Sequence, residues 1–221
     1  MADRSFNPPA LRTANPGFEE PAKRAPKRSS ERPAKRAPNR CEVRLAGTGG
    51  QGAILAGILL AEAAIWDGKN VVQTQSYGPE ARGGASRSEV VISPGEIHYP
   101  KVIEADITLC MSQEACDRYG EQTRQGGLLI LDADHVTRAP TTRAVCVPMS
   151  TLAREVTGRE IVANVVGLGL LAGLTGIVSR EALEAAVHDR APRGTVDVNL
   201  QALAAGFGEA ERFREDRYAH S

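Results

Sequence analysis

The chain has 221 residues, 42% of them hydrophobic, which suits one globular domain of ordinary size with some additional sequence. Its formal net charge is zero, but residues 1–40 carry ten basic and four acidic side chains, so this segment is +6 and the remainder −6. An acidic body argues against nucleic-acid binding, which depends on neutralising phosphates. No apolar run reaches the roughly 20 residues that span a bilayer, and the N-terminus lacks the apolar centre of a signal peptide. We therefore expect a cytoplasmic protein that binds no membrane.

Residues 1–40 hold seven of the 13 prolines and few large apolar side chains. Such a segment cannot bury enough apolar surface to offset the entropy of folding, so we predict a disordered, basic, Pro-rich extension. It is either a solvated tail or an electrostatic contact with the acidic body or a partner. We place the folded domain at 41–208 and a C-terminal tail at 209–221.

From Cys41 onward, apolar strands alternate with helical runs. The pattern predicts strands over 43–46, 71–76, 85–92, 107–111, 128–131 and 144–147, and helices over 53–65, 113–119, 161–174, 180–189 and 198–205. Alternation of this kind implies a largely parallel sheet, although the link between the second and third strands is short enough for a hairpin. The expected fold is a single α/β domain with a doubly wound, mostly parallel (mixed) sheet and helices on both faces.

A glycine-rich loop, G-T-G-G-Q-G at 47–52, lies between the first strand and the first helix. Backbone N–H groups in this setting can face an anion, although the same glycines also suit a tight turn with close packing. A nicotinamide-dinucleotide site would place an acid at the end of the second strand, which here reads V-V-Q-T-Q-S, so that reading is disfavoured. The candidate residues of this loop are Gly47, Gly49, Gly50, Gln51 and Gly52.

A second loop, S-Y-G-P-E-A-R-G-G-A-S-R at 76–87, concentrates unusual chemistry. Its two arginines supply planar donors for carboxylate or phosphate, and its glycines allow close backbone approach. The alternative is a surface hairpin with a local ion pair. As contacts to a ligand or to a partner subunit we take Tyr77, Gly78, Glu80, Arg82, Gly83, Gly84 and Arg87.

The cysteines and histidines indicate no metal site. The four cysteines include no C-x-x-C pair, which argues against zinc or an iron–sulfur cluster in this chain. The four histidines are scattered and read as ordinary surface or core residues. The sequence therefore assigns no catalytic residue.

Several motifs resemble the gamma subunit of 2-oxoacid:ferredoxin oxidoreductases. They are Gly-Gly-Gln-Gly after the first strand and the run from Gln75 to Ser88 around the second loop, followed by the segments at 99–101, 111–115, 126–130, 164–169 and 192–194. The resemblance covers about 42–206, and its form is similar to enzymes that act on 2-oxoglutarate.

The resemblance implies a non-autonomous subunit in the CoA-dependent oxidative decarboxylation of a 2-oxoacid to an acyl-CoA and CO₂, with reduction of ferredoxin. It implies alpha and beta subunits as partners, with a ferredoxin-like delta subunit as a further candidate. Thiamine diphosphate, Mg²⁺ and iron–sulfur clusters would belong to the complex, and none would be bound by this chain alone. Two alternatives stay open, a purely structural assembly subunit and a Rossmann-type NAD-dependent dehydrogenase.

Overall fold

The computed structural model describes residues 39–77, 85–141 and 144–219. Within these residues the strands are β1 (Cys41–Thr48), β2 (Asn70–Ser76), β3 (Ala85–Ser93), β4 (Ala105–Cys110), β5 (Thr123–Asp132) and β6 (Val145–Val147). The helices there are α1 (Ala53–Trp66), α2 (Gln113–Tyr119), α3 (Met149–Thr157), α4 (Ala163–Thr175), α5 (Arg180–Arg190) and α6 (Val196–Ala219). None of these helices combines the length and apolar character that spanning a bilayer requires.

The described strands form one sheet in the order β2-β3-β1-β4-β5-β6. Strand β3 runs antiparallel to both of its neighbours, whereas β1, β4, β5 and β6 pair in parallel. The mixed, doubly wound α/β sheet that the sequence predicts is therefore confirmed. The short link between the second and third strands does join an antiparallel pair, with Asn70 opposite Ser93 and Ser76 opposite Arg87.

The order of the strands reverses between β1 and β4. From β1 the chain passes through α1 to β2 on one side, and from β4 it passes through α2 to β5 on the other. Helix α1 packs with Val43 and Leu45 of β1, whereas α2 packs with Ala46 and Cys110 on the opposite face. In open α/β sheets a crevice forms outside the carboxyl ends of the strands at such a switch point.

The two faces of the sheet differ in chemistry. The α1 face is apolar, and the central helix α4 is buried along it from Ala163 to Ala172. The α2 face carries the buried charged residues Glu42, Arg44, Glu89 and Asp106. Alternation along β1 sends Val43 and Leu45 to one face and Glu42 and Arg44 to the other, because successive side chains of a strand point in opposite directions.

Two helices differ from the sequence prediction. Helix α3 was not predicted; it is short and amphipathic, and aspartates distant in the sequence bind the backbone of its first turn. Helix α6 continues well beyond 205, the predicted end of the last helix: Phe207, Ala210 and Phe213 still pack on the core there, among charged residues that masked the pattern in the sequence. The predicted domain end at 208 thus lies inside α6. The predicted disordered extension lies, up to residue 38, outside the described residues.

Candidate functional site

The glycine loop forms the tight turn from β1 into α1. Gly50 and Gly52 have φ angles of 94° and 74°, in the left-handed region that favours glycine. Gly52 caps α1 without a side-chain hydrogen bond, so the first amides of that helix receive no cap from it. Its carbonyl oxygen accepts a 3.1 Å hydrogen bond from Asn164 Nδ2, and a Cβ at Gly52 would lie 2.5 Å from that nitrogen. Asn164 therefore fixes the loop against α4.

Gln51 ties this loop to the neighbouring strand. Its Oε1 accepts hydrogen bonds from Thr48 N at 2.8 Å and Thr48 Oγ1 at 3.0 Å. Its Nε2 donates to the carbonyl oxygen of Met111 at 2.7 Å, just after β4 ends. One side chain thus spans the switch point between β1 and β4.

A cavity of about 220 Å³ opens beside this bridge, and we call it the switch-point crevice. It is lined by Gly50, Gln51, Met111, Asp132, His135, Ser150, Glu160, Ile161 and Ala163. Its rim is polar on one side, where His135 Nε2 lies 3.3 Å from Glu160 Oε1 and Glu160 also pairs with Arg154. On the other side Ile161 is 68% exposed, so an apolar surface borders the opening.

Asp132 forms a buried wall of the crevice at the carboxyl end of β5. It is 0% exposed, and its oxygens accept hydrogen bonds from Met149 N at 3.0 Å and Ser150 Oγ at 2.7 Å. Burial raises the pKa of this carboxyl above its ordinary value of 3.8, and the bond from Ser150 opposes the rise. Asp132 therefore anchors the first turn of α3 against the wall of the crevice.

The second loop ends beside the glycine loop. Thr48 is paired with Ala85, and Ser86 Oγ donates to the carbonyl oxygen of Gly47 at 3.2 Å. Tyr77, at the end of β2, is 68% exposed. The predicted contact residues Gly78, Glu80, Arg82, Gly83 and Gly84 lie outside the described residues.

Arg87 points to a different part of the molecule from the switch-point crevice. Its Cζ lies 5.4 Å from the ring centroid of Tyr119, on the α2 face of the sheet. The predicted set therefore does not meet at one point in the described part of the chain. The glycine loop borders the crevice, whereas Arg87 lies on the far side of the strands.

Sequence reasoning missed most of the crevice wall, namely Met111, Asp132, His135, Ser150, Glu160, Ile161 and Ala163. A signal for some of them was available: Met111 and Asp132 lie at the carboxyl ends of parallel strands, where α/β proteins place ligand crevices. Ser150 and Glu160 have no comparable signal, because they lie in α3 and in the short 3-10 helix that follows it.

The structure supplies a further reason against a dinucleotide site. In such sites the acid that binds the ribose ends the strand next to the one that leads into the glycine loop. Here antiparallel β3 lies between β1 and β2, and β2 ends in Gln75 and Ser76. The end of β2, which would carry the acid, is therefore separated from β1 by one strand, and it contains no acidic residue.

The fold and the crevice define a doubly wound α/β domain with a glycine loop at its switch point. Within that class, the model of the pyruvate ferredoxin/flavodoxin oxidoreductase family matches residues 42–209. The chain belongs to this family, as the motifs of the two loops predict. The family match supports the gamma-subunit resemblance over the dehydrogenase alternative.

Three proteins that are similar to this chain are subunits of 2-oxoacid oxidoreductases by name. The 2-oxoglutarate synthase subunit KorC of Methanocaldococcus jannaschii is 49% identical over 175 residues, covering 77% of this chain and 94% of the relative. The ketoisovalerate oxidoreductase subunit VorA of Methanothermobacter thermautotrophicus is 35% identical over 178 residues, covering 79% of this chain and 36% of the relative. The solved keto/oxoacid ferredoxin oxidoreductase gamma subunit from Geobacter sulfurreducens is 48% identical with a TM-score of 0.70, covering 78% of this chain and 99% of that one.

Proposed function

We propose that this chain is the gamma subunit of a 2-oxoglutarate:ferredoxin oxidoreductase. The observation that carries the proposal is the 49% identity to a 2-oxoglutarate synthase subunit across 94% of that subunit's length. The identity to a ketoisovalerate oxidoreductase subunit is lower, at 35%. The complex would convert 2-oxoglutarate and CoA to succinyl-CoA and CO₂ and reduce ferredoxin, with thiamine diphosphate, Mg²⁺ and iron–sulfur clusters supplying the chemistry.

In this proposal the chain works only with alpha and beta subunits, a ferredoxin-like delta subunit being a further candidate. Its own contribution is to shape the entrance for an anionic ligand, CoA or the 2-oxoacid. The glycine loop supports this role: it is exposed at Gly49 and Gly50, it borders the switch-point crevice, and its helix amides are uncapped by a side chain. A purely structural role would use the same loop for contact with a partner subunit.

The experiment is reconstitution of the complex with and without this chain. Reduction of ferredoxin is measured with 2-oxoglutarate, pyruvate and 2-oxoisovalerate, each with CoA. The proposal expects activity only with this chain present and the highest kcat/KM for 2-oxoglutarate. Equal activity without the chain, or a preference for another 2-oxoacid, would contradict it.

Two glycine variants separate ligand binding from assembly. Gly49 and Gly95 both have open space around them and neither has a left-handed φ, so each accepts a side chain without strain. If the glycine loop faces the ligand, Gly49→Leu raises the KM for CoA or 2-oxoglutarate in the assembled complex, whereas Gly95→Leu does not. If the loop only contacts a partner, Gly49→Leu loosens assembly on size-exclusion chromatography and leaves both KM values unchanged.

A further inference from the structure

Three guanidinium groups surround one tyrosine ring on the α2 face of the sheet. The Cζ atoms of Arg44, Arg87 and Arg118 lie 5.5, 5.4 and 5.5 Å from the ring centroid of Tyr119. Any two of these Cζ atoms are therefore no further apart than twice the distance from a Cζ atom to the ring centroid. Like charges at such a separation repel each other. Contact with the ring offsets part of this repulsion.

The nearby carboxylates do not balance the three charges. Glu89 Oε1 pairs with Arg44 at 2.8 Å and lies 3.9 Å from Arg87. Glu114 lies one turn before Arg118 on α2, but its Oε1 accepts a hydrogen bond from Ala85 N at 3.1 Å and no ion pair joins it to Arg118 among the described residues. Among the described residues, these two acids leave the cluster of three arginines with an excess of positive charge.

One donor of the cluster is buried without a partner. Arg44 is only 1% exposed; its Nε bonds Glu89 and its Nη2 bonds the carbonyl oxygen of Val102 at 3.3 Å. Its Nη1 is buried and has no hydrogen-bond partner in the part of the chain that the structure describes. Buried donors in native proteins are almost always hydrogen-bonded, so this donor is available to an acceptor that binds beside it.

The cluster opens toward β2. Residues that pair directly across a ladder carry their side chains on the same face, which places Ser76 beside Arg87 and Thr74 beside Glu89. Ser76, Thr74 and Arg118 are exposed, and the side chain of Arg87 is one-third exposed. Arg87, Arg118, Ser76 and Thr74 are thus accessible to solvent on the face of the sheet where Arg44 is buried, and together they mark one candidate position.

We propose that this position binds a phosphate group of a small-molecule ligand, with Arg87 and Arg118 as the direct contacts, Ser76 and Thr74 beside them and Arg44 below. Guanidiniums bind phosphate oxygens with two parallel hydrogen bonds, and hydroxyls add further donors. The excess of positive charge favours an anion, and the paired donors of two guanidiniums suit the oxygens of a phosphate. The proposed site lies on the face of the sheet opposite to the switch-point crevice. The proposal does not depend on which 2-oxoacid the complex uses.

The test is a titration of the full-length chain with inorganic pyrophosphate at low ionic strength. Isothermal calorimetry gives the Kd, and the side-chain Nε–Hε signals of ¹⁵N-labelled arginine report which guanidiniums take part. The proposal expects saturable binding that shifts the signals of Arg87 and Arg118. Arg87→Gln and Arg118→Gln should each weaken binding by about tenfold or more, since a charged hydrogen bond is lost.

Arg138→Gln is the matched control, because Arg138 is also exposed and pairs with Asp117 of α2 outside the cluster. It should leave the Kd unchanged. Arg118 is on the surface, so its variant keeps the fold intact, which circular dichroism checks. Absence of saturable binding, or equal weakening in all three variants, overturns the proposal. The proposal is also overturned if the wild-type chain does not bind pyrophosphate and Arg118→Gln loses subunit assembly. Arg118 would then pair with an acidic side chain of a partner subunit.

Discussion

Gln51 donates from Nε2 to the carbonyl oxygen of Met111 at 2.7 Å, joining the loop after β1 to the end of β4. These two strands are where the sheet reverses its order, so they separate at the point where the crevice forms. The bond therefore fixes the width of the crevice between the glycine loop and β4.

Gln51→Ala should lower the free energy of unfolding by about 1–3 kcal/mol, because it removes the bonds to Met111 and Thr48. Urea unfolding of the purified chain measures the change. Gln122→Ala is the control, since Gln122 makes one exposed bond, to the carbonyl oxygen of Arg118. Equal changes in the free energy of unfolding for the two substitutions would show that the bonds of Gln51 stabilise the chain no more than one exposed hydrogen bond does.

Helices α4 and α6 cross so closely that a methyl group does not fit between them. A Cβ at Gly206 would lie 2.0 Å from the carbonyl oxygen of Val166, a backbone atom that has little freedom to move. Gly206→Ala should therefore destabilise the chain by about 1–3 kcal/mol or more. Gly208→Ala, two residues later in α6 and in open space, should instead stabilise it by about 0.5–1 kcal/mol. Thermal unfolding of both variants checks the opposite signs.

Arg44 and Glu89 form an ion pair between β1 and β3 that is almost wholly buried. Arg44→Met should cost about 3–5 kcal/mol, because it leaves the carboxylate buried and less well paired. The double variant Arg44→Met with Glu89→Leu should recover much of that loss, since no isolated charge then remains. Urea unfolding of the two variants tests this order, and a double variant less stable than Arg44→Met would contradict it.

The buried carboxyl of Asp132 should make stability depend on pH. Its pKa is raised above 3.8 by burial, so the folded state binds the proton more tightly than the unfolded state does. The resulting stabilisation is present below pH 3.8 and is lost as the pH rises through the raised pKa. The unfolding free energy of the wild type, relative to Asp132→Asn, should therefore fall over that range. A difference that rises with pH would contradict the assignment.

The sequence predicted the fold in most of its parts. Elements built from long or dense apolar runs, such as α1 and β3, were placed within a residue or two, because burial against the sheet requires apolar side chains there. Helix α3 escaped prediction, since what holds its first turn is Asp132, seventeen residues before Met149. No local pattern can show a bond of that kind.

The glycine loop and the second loop were recognisable from the sequence alone, because their glycines and arginines form long specific motifs. The motifs also determined the family, since few other folds need those residues at those spacings. The three-dimensional arrangement decided which residues meet. It placed Asp132, Ser150 and Glu160 in the wall of the crevice and gathered Arg44, Arg87 and Arg118 around Tyr119. These contacts join residues from different strands and helices, and only the order and register of the sheet bring them together.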